Sequence, residues 1–216
     1  MDVDTLPPIP QEVRNTLSRF VPAKAMAEWT RATFIEENGP LSHPTHSHLQ
    51  MARIGVLWTS AEYKRKGKLV LGKAEQPEPM GVFGWHRDRL MQQLGGWFSD
   101  WFDGAEPDFV ITLYAPWVME RLEAGDGMAV CALIEHELCH CEQKTDEYGT
   151  PEFSDATGRP QWTIAGHDAE VFVHEVARYG AYTDDLKRLR DAFDEAPTAD
   201  EATVQGVCGC GATVRA

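Results

Sequence analysis

Five consecutive residues carry most of the chemistry this chain can offer: His136, Glu137, Leu138, Cys139 and His140. Side chains four apart on an α-helix lie one above the other, so two imidazoles at this spacing can grip one ion from a rigid element. Glu137 projects beside them, where a carboxylate can take a proton from a water activated by zinc. The expected chemistry is metal-assisted hydrolysis, with His136 and His140 as ligands and Glu137 as the general base.

The surrounding residues suit that task. At 100° per residue, Val130, Ile134, Leu138 and Cys141 form an apolar sector that can face a core, while Glu135 and Glu142 fall on a sector suited to solvent. A catalytic zinc takes three protein ligands and leaves one position open. The third is sought in GHDAEVFVHEVARYG, where His167, Glu170 and His174 share a stripe if a helix starts near Gly166. His167 is the preferred ligand and Glu170 the alternative. Asp168 is read as a helix cap or a partner for a ligand histidine, and His174 as outside the first shell of ligands. Tyr148, Tyr179, Tyr182 and Arg178 are candidates for stabilising an oxyanion.

Other segments must position this helix. Pro10–Phe20 and Ala23–Glu37 read as helices. Ala52–Thr59 and Lys68–Ala74 read as strands joined by the turn that holds Lys64, Arg65, Lys66 and Lys68. Trp85–Phe102 has helical spacing of large residues, interrupted at Gly95-Gly96. DFVITLY, bounded by Pro107 and Pro116, is the clearest strand. It is also the edge considered for adding an extended substrate as a further strand. A helix from Pro116 to Glu123 and a long one from Met128 to Gln143 follow. A polar hairpin comes next, and then a helix from Thr183, a plausible cap, to Phe193. These elements divide the chain into an arm at 1–20, a domain at 21–195 and a flexible tail at 196–216.

The run AVCALIEHELCHC, followed at a distance by GHDAEVFVHEVARYG, resembles the metallopeptidases of phages and prophages, themselves similar to SprT-like zinc proteases. ARIGVLW, KGKLVLGKA and DFVITLYAPWV stand upstream in the matching order, and the resemblance spans about residues 50 to 182. It implies a zincin-like α+β domain with a small, about three-stranded sheet packed on the HExxH helix. It also implies Zn²⁺ held by His136, His140 and His167, Glu137 as catalytic base, and a protein or peptide as substrate. Alternative readings are a catalytically silent, zinc-stabilised binding protein in phage–host interaction and a DNA-associated SprT-like protease. A SprT-type zinc ribbon needs two cysteine pairs, and this chain ends with only Cys208 and Cys210.

Composition narrows the rest. A net charge of −14 opposes general binding to phosphate backbones, so nucleic acid is not expected as a partner. No apolar run reaches bilayer length, and the opening MDVDTLPPIP lacks the basic and apolar regions of a signal peptide. The expected location is the cytoplasm of a bacterial host cell, without membrane attachment. Five cysteines, an odd number, fit reduced thiols better than a disulfide framework. Cys141 reads as a small core residue. For Cys208-Gly-Cys210 the favoured reading is no function, ahead of an inhibitory thiolate or a separate ion site. His43, His46 and His48 read as loop residues rather than a metal site. The sequence leaves the oligomeric state open.

Overall fold

The structure, a computed structural model, describes residues 6–14, 20–77, 84–169, 173–199, 202, 204 and 206–209. In chain order, helix α1 is Gln11–Arg14, strand β1 Phe20–Pro22 and helix α2 Lys24–Thr30, continued by a π-turn over Arg31–Ile35. A 3₁₀ segment at Pro44–Met51 leads to β2 (Ile54–Thr59), β3 (Lys64–Arg65) and β4 (Lys68–Glu75). Then come α3 (Gly84–Phe98), β5 (Phe109–Tyr114), α4 (Ala115–Glu123) and α5 (Gly127–Cys139). The remainder is β6 (Cys141–Gln143), β7 (Trp162–Ile164), α6 (Val173–Tyr179), α7 (Asp184–Asp194) and β8 (Val207–Cys208). This is an α+β fold.

Among the described residues the main sheet runs β1-β2-β5-β4-β3, with β8 also paired to β4. β2 and β5 are parallel; β1 runs antiparallel to β2, and β4 runs antiparallel to β5 and β3. The sequence places β2 and β4 side by side, but β5 lies between them. The parallel β2–β5 pair requires a crossover, and α3 lies within it. The lysine-rich turn instead closes the short β3–β4 hairpin, with Lys66 and Gly67 at φ +49° and +78°. Positive φ at two central residues matches the twist of a tight hairpin and favours glycine at the second.

The sheet is covered on both faces. Val56, Trp58, Ile111 and Leu113 join the large core that includes Val130, Ile134 and Leu138 of α5. Leu57 and Val110, pointing the other way, meet Phe98 at the end of α3. That alternation is the period-2 pleat of a strand. α3 passes through Gly95 and Gly96 without a break. Each glycine costs a helix about 1 kcal/mol, which packing of the neighbouring Leu94, Trp97 and Phe98 offsets.

Asp108 pins the start of β5. Its carboxylate accepts from the backbone N–H and guanidinium of Arg53 at 2.7–3.2 Å and from Arg159 Nη2 at 2.7 Å. It thereby ties the entrance of β2 to the 144–161 hairpin. Two compact units divide the chain: 1–165 with 202–210, and 166–201 with 211–216. In the second, Thr183 caps α7 by accepting from Leu186 N–H at 3.2 Å. No helix among the described residues is long and apolar enough to cross a membrane.

Asp108→Ala leaves two guanidinium groups facing a half-buried gap. Chemical denaturation of this variant is expected to show a loss of about 2–4 kcal/mol, whereas Asp185→Ala on the exposed face of α7 should stay within about 0.5 kcal/mol of the parent.

Candidate metal centre

α5 is specified at both ends. Gly125, at φ +74°, turns the chain out of α4, and Asp126 caps α5 by accepting from Ala129 N–H at 3.2 Å. Val130, Ile134 and Leu138 are essentially fully buried, as is Cys141 just beyond the helix. The helix ends at Cys139, four residues short of the expected Gln143. His140 still has helical dihedrals as its C-cap, and the next three residues pair with β7. The backbone groups of Cys141–Gln143 therefore find sheet partners instead of helical ones.

Burial along the motif is uneven. Glu137 is 0% exposed and His140 3% exposed, while His136 is half-buried. The two Nε2 atoms face each other at 3.3 Å, with the rings edge-on at 81°. His140 Nδ1 lies 2.7 Å from the carbonyl oxygen of Ala165, to which it donates. Ala165 N–H returns a bond to the His140 carbonyl at 2.8 Å. This pairing puts the His140 proton on Nδ1 and turns the Nε2 lone pair toward His136, the arrangement a metal-ligating imidazole needs.

A fourth side chain enters from the far end of the chain. Cys208 Sγ is 3.4 Å from His140 Nε2 and 3.6 Å from Glu137 Oε2. The ligand atoms of His136, His140 and Cys208 all lie within 4.8 Å of one another. Nitrogens bound at 2.0–2.1 Å on a tetrahedral ion are separated by about 3.4 Å, and a nitrogen and a sulfur bound at 2.3 Å by about 3.6 Å. The donor set thus fits a borderline-soft divalent cation such as zinc in both chemistry and spacing. The sequence favours no function for Cys208 ahead of an inhibitory thiolate or a separate ion site, and no apolar alternation around it announces a strand.

The sheet positions Glu137. A Cβ added at Gly72 of β4 would sit 2.6 Å from Glu137 Oε1, so the carboxylate occupies space that only glycine leaves there. Two histidines read as loop residues brace the helix from outside. His46, 1% exposed, has Nε2 3.6 Å from Glu135 Oε1, and His48 Nε2 donates to the Cys141 carbonyl at 2.8 Å.

Residues 166–169 are not helical, so the stripe expected from a helix starting at Gly166 does not form there. His167 and Asp168 lie in exposed irregular chain at the start of the second unit, and His174 is exposed on α6. Glu170 lies outside the described residues. β5, considered as an edge for substrate, is paired on both sides; the strand beside Glu137 is β4.

The chain matches the family described as "Putative phage metallopeptidase" over residues 27–194, and it belongs to that family. No curated protein and no solved structure gives a significant match. Membership makes this a metallopeptidase-type chain, and the His/Cys group is where it could hold a metal ion.

Burial pushes the His136 imidazole below its ordinary value; the neighbouring His140 adds to this and Glu137 opposes it. The unfolded chain takes up that proton near pH 6.5, while the native one resists until lower pH. Stability of the metal-free protein should therefore fall as pH drops through about 6.5, and His136→Gln should flatten the slope of urea midpoint against pH. Gly72→Ala should displace the carboxylate. Hydrolysis is expected to drop by about 10²-fold while zinc content stays at the parent level.

Proposed function

We propose that the chain is a zinc-dependent peptidase of HExxH type, with a zincin-like arrangement of helix and sheet, in which Glu137 is the general base. The observation that carries this reading is the pair of Nε2 atoms 3.3 Å apart beside a fully buried carboxylate, in a chain of a metallopeptidase family. His136 and His140 would hold the ion. His167 is our choice for the third ligand. It follows by two residues Ala165, which is bonded to His140, and two residues of chain span at most about 7 Å. Glu170 is the alternative.

Bound there, zinc supplies a Lewis acid that acidifies water and polarises the scissile carbonyl. Glu137 accepts the proton of the attacking water and passes it to the departing amine. Its burial keeps bulk solvent from competing for that proton. The Ala165 carbonyl holds the His140 ring and its tautomer fixed through the cycle. An extended peptide is the expected substrate, because the strand beside the carboxylate would offer main-chain groups to an added strand in the place that β8 occupies.

A second reading, a metal-stabilised binding protein without turnover, is favoured by one observation. The Cys208 thiol lies where a further ligand would close the ion to water.

Glu137→Gln separates the two. The variant is expected to retain zinc and to cleave an unfolded protein substrate about 10²–10⁴-fold more slowly than the parent, with the parent's activity abolished by a chelator. Equal cleavage by both proteins would remove Glu137 from its role, and chelator-insensitive cleavage would remove the metal.

A further inference from the structure

Residues 206–209 lie some seventy positions beyond the helix they touch, and their placement is specified by more than the cysteine. β8 pairs in parallel with β4, with Val70 opposite Val207 and Gly72 opposite Cys208. Gly209 N–H donates to the Gly72 carbonyl at 2.7 Å. The glycines on either side of that strand have no room for a side chain. A Cβ on Gly206 would lie 2.2 Å from Leu71 Cδ1, and one on Gly209 would lie 2.8 Å from Val70 Cγ1. Two such glycines bring the backbone close enough to β4 for Cys208 to reach the histidines. An ordinary buried cysteine packs among apolar atoms; this sulfur meets an imidazole nitrogen and a carboxylate oxygen.

The same segment obstructs catalysis in two ways. Its sulfur fills a ligand position next to the base, where solvent would have to bind. Its backbone covers the β4 edge nearest Glu137, where an extended peptide would pair. β5 takes the other side of β4, so no second edge of that strand remains for substrate.

We propose that residues 206–209 are an internal plug: Cys208 is a metal ligand that closes the site, β8 stands in for the substrate strand, and the peptidase is latent until this segment is displaced. The proposal rests on the reading of His136 and His140 as metal ligands. Coordination releases the thiol proton to solvent, and displacement of the strand returns that position to water without any change in oxidation state. This reconciles the closed ligand set with a family of peptidases, since the sulfur is supplied by a detachable two-residue strand and the imidazoles by a rigid helix. A closed state populated to about 90–99.9% would hold turnover to about 10⁻¹–10⁻³ of the open level.

The test loads the full-length protein with Co²⁺ and reads its near-ultraviolet absorption, with peptidase activity on unfolded casein measured in parallel on zinc-loaded protein. The parent is expected to show a thiolate-to-cobalt charge-transfer band that Cys208→Ser lacks while still binding one equivalent of metal. Cys208→Ser and Gly206→Val, which keeps the sulfur but has no room for its new side chain beside Leu71, should both cleave casein about 10- to 1000-fold faster than the parent. A parent that binds cobalt without the thiolate band overturns the plug alone. A parent that binds no cobalt overturns the metal reading beneath it. If the band is present but Cys208→Ser loses its metal or gains no activity, the sulfur is a permanent structural ligand and latency is wrong.

Discussion

Glu137 is fully buried, and no side chain larger than hydrogen fits opposite its carboxylate. That contact, between the carboxylate and Gly72 of β4, sets how closely α5 can approach the sheet. Much of the molecule is consistent with it. The apolar sector of α5 fills the core under the sheet, so the helix cannot rotate without exposing Val130, Ile134 and Leu138. With that rotation fixed, the Nε2 atoms of His136 and His140 face each other at 3.3 Å, and the strand β4 runs alongside Glu137. A buried carboxylate is costly unless something charged or hydrogen-bonding compensates it, and the Cys208 thiol at 3.6 Å from Glu137 Oε2 supplies one such contact.

The ends of the helix are as informative as its middle. Terminating α5 at Cys139 lets Cys141–Gln143 pair with Trp162–Ile164, and that ladder brings the Ala165 carbonyl to His140 Nδ1. Had the helix run on to Gln143, the second imidazole would lack this backbone acceptor. His48, bonded to the Cys141 carbonyl, holds the same junction from the N-terminal half of the chain. Two segments distant in sequence thus converge on one turn of backbone, and each supplies a contact that fixes a ring or the peptide next to it.

What the sequence made legible follows from periodicity. The 3.6-residue repeat of α5 identified its buried sector, and the four-residue spacing identified the two imidazoles that face each other. The strands β2, β4 and β5 were visible as short apolar runs. Order within the sheet was not, because local pattern says nothing about which strand lies between which, and β5 turned out to be central. The expected helix from Gly166 also rested on periodicity alone; residues 166–169 are irregular chain before α6. Cys208 was hidden for a different reason. A two-residue strand between glycines has no alternation to detect, and its signal was steric, a pair of glycines around a cysteine. His46 and His48 were read as loop residues, and their contacts to Glu135 of α5 and to the Cys141 carbonyl depend on tertiary placement that spacing cannot reveal.

The central claim is that the end of α5 is a metal centre built from imidazoles, and the direct test is X-ray absorption at the zinc edge of the zinc-loaded, full-length protein. The account predicts a four-coordinate shell with imidazole nitrogens at about 2.0–2.1 Å and one sulfur at about 2.3 Å. A shell of oxygen atoms without imidazole scattering would contradict it.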